Sequence, residues 1–446
     1  MNSFLSTFDT KRHKKLIVII LFGVLLRLLP IWIWGVDGCV RDECSYIKQA
    51  YLLVQGKGIV ATTGWLWAPG YSALLALHKL VFDSVYWMKY TQVAISVVVA
   101  VLLYQLSKDE RRGLWACSLY MFSPVQIFFA QSLWSETVYG AVLIGLVWLF
   151  HKKVHSGWLG FILAAGILLR GVALYLVLIV GFFVYFRRQS VLRLLCAVFF
   201  FVAPYSVYAS YKFDRFIVSD RTLGQMMWLG NNGFEPMTFD WGNGATSNFA
   251  YERNKKKNTY SCPPRPKKKT PMVRNKWSME RQDCLMKQGR VWLQEHPDVF
   301  VSRIPIRVAQ MMTPHSFLTR HLRSGGWRGL SEWWDELIII WSAAMSLIVL
   351  WSGCMGLLHN RKTQVAKLTG TVILYHVFCI SLLAGLSRYR VPLEPLLMLY
   401  AGSILGGDWK QIDRRTAIYI LMVLVIVLPL SLWFFPSGWS WWRSYF

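Results

Sequence analysis

Charge is scarce in this chain, and negative charge is scarcer still. Only 16% of the 446 residues are charged, with 23 acids against 49 Lys and Arg. A soluble domain carries about a quarter of its residues as charges, so this composition belongs to lipid rather than to a soluble core. Also missing are a Gly-rich nucleotide loop, a Ser-His-Asp spacing and a histidine pair for a metal. No cysteine spacing suggests zinc, and no internal repeat of fixed period or low-complexity tail is present.

What the chain has instead is long apolar runs. Hydrophobic residues make up 55% of it, including 23 Trp. A bilayer core needs about 20 apolar residues per helix, and only helices or closed barrels satisfy every backbone group there. The first run, Leu16 to Val36, follows KRHKK at 11 to 15. It is too long for a signal-peptide h-region and lacks a small-x-small cleavage site, so it reads as a retained helix.

Short loops rich in Lys and Arg stay in the cytoplasm. Helices near 16 to 36, 86 to 107, 114 to 131, 136 to 150, 157 to 169, 171 to 186, 190 to 210, 335 to 358, 366 to 386, 389 to 407 and 416 to 435 put KRHKK, KDERR, HKK, RRQSVLR, HNRKTQVAK and KQIDRR on one side. The expectation is an all-α polytopic membrane protein with about eleven transmembrane helices. Its N-terminus is cytoplasmic and its C-terminus outside. GYSALLALHKLVF, 70 to 82, is too short and polar to cross and reads as an interfacial helix.

Three parts follow. Residues 1-210 form an N-terminal transmembrane module whose outer loop 37-85 carries an acidic motif. Residues 211-334 form an outer domain, and 335-446 supply the last helices. The outer domain holds a basic insertion at 253-290, with thirteen Lys and Arg against two acids. Such a segment reads as solvated chain or as a patch for anionic lipid or acidic glycan. Nucleic acid is set aside as a partner, because the patch faces outward. Cys117, Cys196, Cys354 and Cys379 fall in helices. Cys39, Cys44, Cys262 and Cys284 face an oxidising side, where a Cys262 to Cys284 disulfide is an open expectation.

The chemistry-bearing residues sit at outer helix ends. RDECSYIKQA, 41 to 50, places Asp42 and Glu43 just past the first run. In a helix from about Arg41, Asp42, Tyr46, Gln49 and Leu53 share one face while Glu43 and Ile47 turn away. Asp42 reads either as a first-turn acid favoured by the helix dipole or as a group aimed into a cavity. Glu136, in QSLWSETVYG, carries the same two readings, with Ser135 as cap. Two carboxylates at one interface can divide base, acid or cation-binding work. Arg170 in LLRGVA, and Arg388 and Arg390 in SRYRVPLEP, stand at outer turns. There they either snorkel to headgroups or take a phosphate in their planar fork. No charge is read deep in the middle of a span. WLWAPGY, 65 to 71, adds Trp67 and Tyr71 as aromatic planes beside a Pro-Gly turn, and Tyr46 and Tyr389 join them as candidate cavity walls.

Taken in order, these motifs resemble polytopic lipid-linked sugar transferases of the GT-C fold, in the group of protein O-mannosyltransferases and lipid A aminoarabinose transferases (glycosyltransferase family 39). DECSY stands for an acidic pair followed by Tyr, APGY for PPGY, and SLWSE for a second acidic motif. LLRGVA stands for a helix ending in Thr-Arg-Pro, WLGNNG for a Gly-Asn-Asn turn, QEHPDVF for a helix ending in His-Pro, and SRYRVPLEP for Arg-Tyr-x-x-Pro-x-x-Pro. Gly171 departs from the usual Pro, which leaves the aim of Arg170 open.

The resemblance implies an enzyme passing a hexosyl or pentosyl group from a polyprenyl phosphate carrier to an acceptor glycan, lipid or protein on the outer face, with inversion. Asp42 would be the catalytic base or an acceptor-side acid, Glu43 or Glu136 would assist it or bind a divalent ion, and Arg170, Arg388 and Arg390 would be the phosphate ligands. No cofactor is obligatory in this reading; a divalent ion, Mg or Mn, on Asp42 and Glu136 is allowed. A bacterial inner membrane with a periplasmic site is the expected location. Two other readings share the topology: a transporter or flippase, and a polysaccharide polymerase or ligase that moves a whole lipid-linked glycan.

Overall fold

The computed structural model describes residues 13–35, 38–39, 42–61, 66–232, 262, 271–314, 318–319, 322 and 332–408. Among these the chain is helical, and its only strand-like feature is an isolated antiparallel bridge between Leu66 and Arg221. Residues 253–261 and 263–270 of the basic insertion, the expected helix at 416 to 435 and the KQIDRR loop lie outside the described residues.

Among the described residues, five helices are long and apolar enough to span a bilayer. They are α1 (Lys14–Trp34), α4 (Met88–Leu106, preceded by a 3-10 turn), α10 (Val191–Phe213), α14 (Glu332–His359) and α15 (Gln364–Ser381). Between them, α2 (Asp42–Val54) and α3 (Pro69–Phe82) pack together as a pair of short helices. The chain is an integral membrane protein.

The expected single helix at 114 to 131 is instead two, α5 (Glu110–Phe122) and α6 (Pro124–Gln131), bent by 55°. Ser123-Pro124 is the cause: Pro124 has no N–H to give, and Ser123 turns its hydroxyl to cap the Gln126 N–H. The freed carbonyls of Tyr120 and Met121 take the guanidinium of Arg27 instead, at 3.0 and 2.7 Å. Arg27 is fully buried inside α1, which corrects the expectation of spans without an internal charge. Its charge mends a broken helix, because a bare carbonyl at membrane depth costs several kcal/mol.

The remaining apolar segments are short and lie within a residue of their expected bounds. They are α7 (Glu136–His151), α8 (Ser156–Leu169) and the run Gly171–Phe186, whose helical body is α9 (Leu176–Phe186). A 16-residue helix such as α7 is about 24 Å long, short of the roughly 30 Å core. Its first turn, at Glu136, is buried in protein, the setting in which irregular backbone and polar side chains persist at that depth, whereas its other end, at His151, is exposed. The expected helix at 389 to 407 likewise splits into a 3-10 turn, Ser387–Leu393, and α16 (Glu394–Leu405). α16 is almost wholly buried at the centre of the molecule. α14 crosses it closely because Gly353 carries no Cβ; one placed there would lie 2.8 Å from the Leu397 carbonyl.

On the other side of the site lie α11 (Leu223–Gly230), α12 (Pro271–Glu295) and α13 (Pro297–Met311). The helix over 281 to 295 does stop before Pro297, and a new helix starts on that proline. Cys262–Cys284 is bridged, as is Cys39–Cys44, the latter spanning the approach to Asp42.

Candidate active site

The two acids of RDECSYIKQA separate as helical periodicity requires. Glu43 turns back and accepts the Leu133 N–H at 2.7 Å, pinning α2 to the turn before α7. Asp42 faces the other way and takes Nη1 of Arg388 at 2.7 Å. Its carboxylate remains 36% exposed, so one oxygen is free for a ligand. Behind it, Gln49 fixes the returning chain by donating to Gly58 O and accepting from Val60 N.

Arg388 reaches further. Its Nε donates to Oε1 of Glu136, and the same oxygen takes Nη2 of Arg170 at 2.5 Å. Arg170 Nε also donates to Ser135 Oγ at 3.0 Å. The result is an alternating row, Asp42, Arg388, Glu136, Arg170. Arg388 lies 4.3 Å over the Trp134 ring and Arg170 5.7 Å from that of Tyr139, so each guanidinium has an aromatic face behind it. Burial alone would lower the Arg388 pKa, but the Glu136 and Asp42 carboxylates outweigh it and raise it. Burial likewise raises the Tyr46 phenol, which keeps its proton.

This row lies against a cavity of about 1520 Å³. Asp42, Tyr46, Trp67, Arg170, Arg388 and Tyr389 all line it. One part of its wall is apolar, with Leu169, Leu174, Tyr375 and Cys379. Another is polar, where α12 presents Asp283, Lys287 and Arg290. A lipid-borne phosphate fits such a space, with its chain along the apolar wall and its charge at the arginines.

Four expected site residues stand elsewhere. Glu136 is 1% exposed and beneath the cavity wall rather than in it, so it serves as the counter-ion of two arginines and not as a group that meets substrate. Glu43 is a backbone cap. Tyr71 is fully buried behind Tyr46, where it donates to Gln92 Oε1 at 2.9 Å. Arg390 is turned away and saturated by Glu394, the Met311 and Thr313 carbonyls and Ser346 Oγ. The Arg-Tyr-x-x-Pro segment is a 3-10 turn, so Arg388 and Arg390 point to different places.

Asp42 and Glu136 do not make a metal cage. The Arg388 guanidinium bridges the two carboxylates, and no group of three His, Cys, Asp or Glu able to hold a metal occurs among the described residues.

One acid in the cavity wall escaped the sequence reading. Asp220 lies in the loop between α10 and α11 and accepts the Gly171 N–H at 3.2 Å. Burial lifts its pKa to about 6, against the opposing pull of Gly171 and Thr222 hydrogen bonds and the Arg170 charge. Nothing in SDRTLG marks it beforehand, because its partners are distant in sequence.

No family model matches this sequence, and no curated protein does. Several solved structures resemble it in outline, two of them as follows. An archaeal oligosaccharyltransferase, AglB from Archaeoglobus fulgidus, in complex with an inhibitory peptide and a dolichol-phosphate, aligns over 96% of this chain and 56% of its own, at 11% identity and TM-score 0.46. ArnT from Cupriavidus metallidurans, bound to undecaprenyl phosphate, aligns over 88% of this chain and 78% of its own, at 10% identity and TM-score 0.42. The chain thus spans about half the length of the archaeal structures it matches.

Proposed function

We propose that the protein is a lipid-linked glycosyltransferase that moves one sugar from a polyprenyl phosphate to an acceptor on the outer face of a bacterial inner membrane, inverting the anomeric carbon. The observation that carries this reading is the row Asp42, Arg388, Glu136, Arg170 against a cavity with one apolar wall and one polar wall. The ordered motif resemblance to GT-C transferases supports it.

The donor phosphate would sit on Arg170 and Arg388. Glu136 holds both guanidinium groups in aim, so that they offset the negative charge that builds on the leaving phosphate. The acceptor hydroxyl would approach Asp42. As its oxygen bonds to the sugar C1, its proton passes to the Asp42 carboxylate and the C1 to phosphate-oxygen bond breaks, releasing the polyprenyl phosphate. A single attack of this kind inverts C1. Asp42 is fit for the proton because one of its oxygens is fixed by Arg388 while the carboxylate stays partly open to the cavity.

The experiment is transfer from a labelled polyprenyl-phosphate sugar by wild type and by Asp42→Asn. Loss of about a hundredfold or more is expected, the usual range for removing a general base. Undiminished transfer removes Asp42 from the role.

A further inference from the structure

Three consecutive residues, Ser219, Asp220 and Arg221, each bond to the backbone of a different position around the site. Ser219 Oγ donates to the Ile167 carbonyl in the last turn of α8. Asp220 Oδ2 accepts the Gly171 N–H, the first of the following 3-10 turn. Arg221 N donates to Leu66 O at 2.8 Å, on the segment that leads to Trp67. Arg170 stands between the first two of these bonds, at the end of α8 with an extended backbone, φ −152 and ψ 123.

The helix end explains why such bonds are needed. The last carbonyls of α8 and the first N–H of the next turn have no partner within their own helices. The turn is half-buried, and distant side chains supply partners in place of water. The neighbourhood is also closed from the other side. A Cβ on Gly70 at the start of α3 would lie 2.8 Å from the Leu168 carbonyl. Position 171 is matched to Asp220 in shape as well: a Cβ there would lie 2.6 Å from Asp220 Oδ2. Only glycine leaves room for that carboxylate and also offers an N–H; proline would do neither.

We propose that Ser219, Asp220 and Arg221 form a clip that sets the aim of Arg170, with Asp220 as a positioning residue and Gly171 as its matched seat. This rests on the transferase reading above. Asp220 acts through the backbone: it holds the corner from which the Arg170 side chain reaches Glu136, Ser135 and the cavity.

The test compares Asp220→Asn, Asp220→Ala, Gly171→Ala and the Gly171→Ala, Asp220→Ala double variant. The readouts are transfer kinetics and, separately, thermal stabilisation of each purified protein by added undecaprenyl phosphate. Asparagine still accepts the Gly171 N–H and keeps transfer near wild type. Asp220→Ala lowers kcat about tenfold or more with acceptor KM unchanged, because a small misplacement at a reacting centre is costly. Gly171→Ala fails by the same route, since its methyl displaces the Asp220 carboxylate. The double variant is therefore no worse than either single, whereas independent effects would multiply.

Wild-type kcat in Asp220→Ala, or multiplied losses in the double variant, overturns the clip. If wild type transfers no sugar, the functional reading falls, and lipid-phosphate binding alone judges the clip. Equal binding by wild type and Asp220→Ala then overturns it.

Discussion

Arg388 joins Asp42 to Glu136: its Nη1 lies 2.7 Å from Asp42 Oδ2, and its Nε donates to Glu136 Oε1. The two carboxylates therefore have different duties. Asp42 meets the cavity, and Glu136 lies beneath it with no exposure to spare.

That division can be separated by substitution. Glu136→Gln leaves Arg170 and Arg388 with one carboxylate between them. Removing one member of a buried ion-pair network costs roughly 3 kcal/mol, so a clear drop in the unfolding midpoint is expected together with lost transfer. Asp42→Asn should lose transfer with little change in that midpoint. Equal stability of Glu136→Gln and wild type would show that Glu136 is not the counter-ion described.

Arg390 should behave as a structural tie. It is 1% exposed, and its bonds to Glu394, Met311, Thr313 and Ser346 join the 3-10 turn, the end of α13 and α14. Arg390→Ala is expected to destabilise the protein by roughly 3 to 5 kcal/mol. The surviving folded fraction should keep its donor KM, whereas Arg388→Ala should raise donor KM. A raised donor KM in Arg390→Ala would return Arg390 to the phosphate site.

How much of this was legible in the sequence depends on the kind of contact. The opposed directions of Asp42 and Glu43 follow from helical periodicity alone and appear as expected. The choice between Arg388 and Arg390 does not, because it depends on a 3-10 turn where a regular helix was expected. Glu136 was placed at the right helix start, yet its depth depends on what packs above it. Asp220 and Arg27 were missed for one reason: each serves backbone groups freed by an irregularity in another segment. No local pattern around Arg27 records a carbonyl that lost its partner 94 residues away, and none around Asp220 records an N–H that lost its partner 49 residues away.

The pKa of Asp220 has a sign that can be checked. Burial raises it from 3.8 to about 6 in the folded protein. The unfolded chain then ionises first as pH rises, so this group's contribution is present in full below about pH 4 and is lost as pH climbs through about 6. The loss is on the order of 3 kcal/mol. Asp220→Asn should gain stability relative to wild type over that interval, seen as the difference between their unfolding midpoints at pH 4 and pH 7. A difference independent of pH would contradict the buried carboxylate.

Metal removal should leave transfer unchanged. The Arg388 guanidinium already bridges Asp42 and Glu136, and a guanidinium can neutralise phosphate charge without a divalent ion. Transfer assayed after chelation and again with added Mg or Mn tests this. Activity lost to chelator and restored by the ion would show that the two acids open to admit it.

The most direct measurement is the anomeric configuration of the product formed by purified protein from a polyprenyl-phosphate sugar of defined anomer, read by nuclear magnetic resonance. With Asp42 as the single base the product carries the opposite configuration to the donor. A retained configuration, or no product with any glycan, lipid or protein acceptor, would contradict the account.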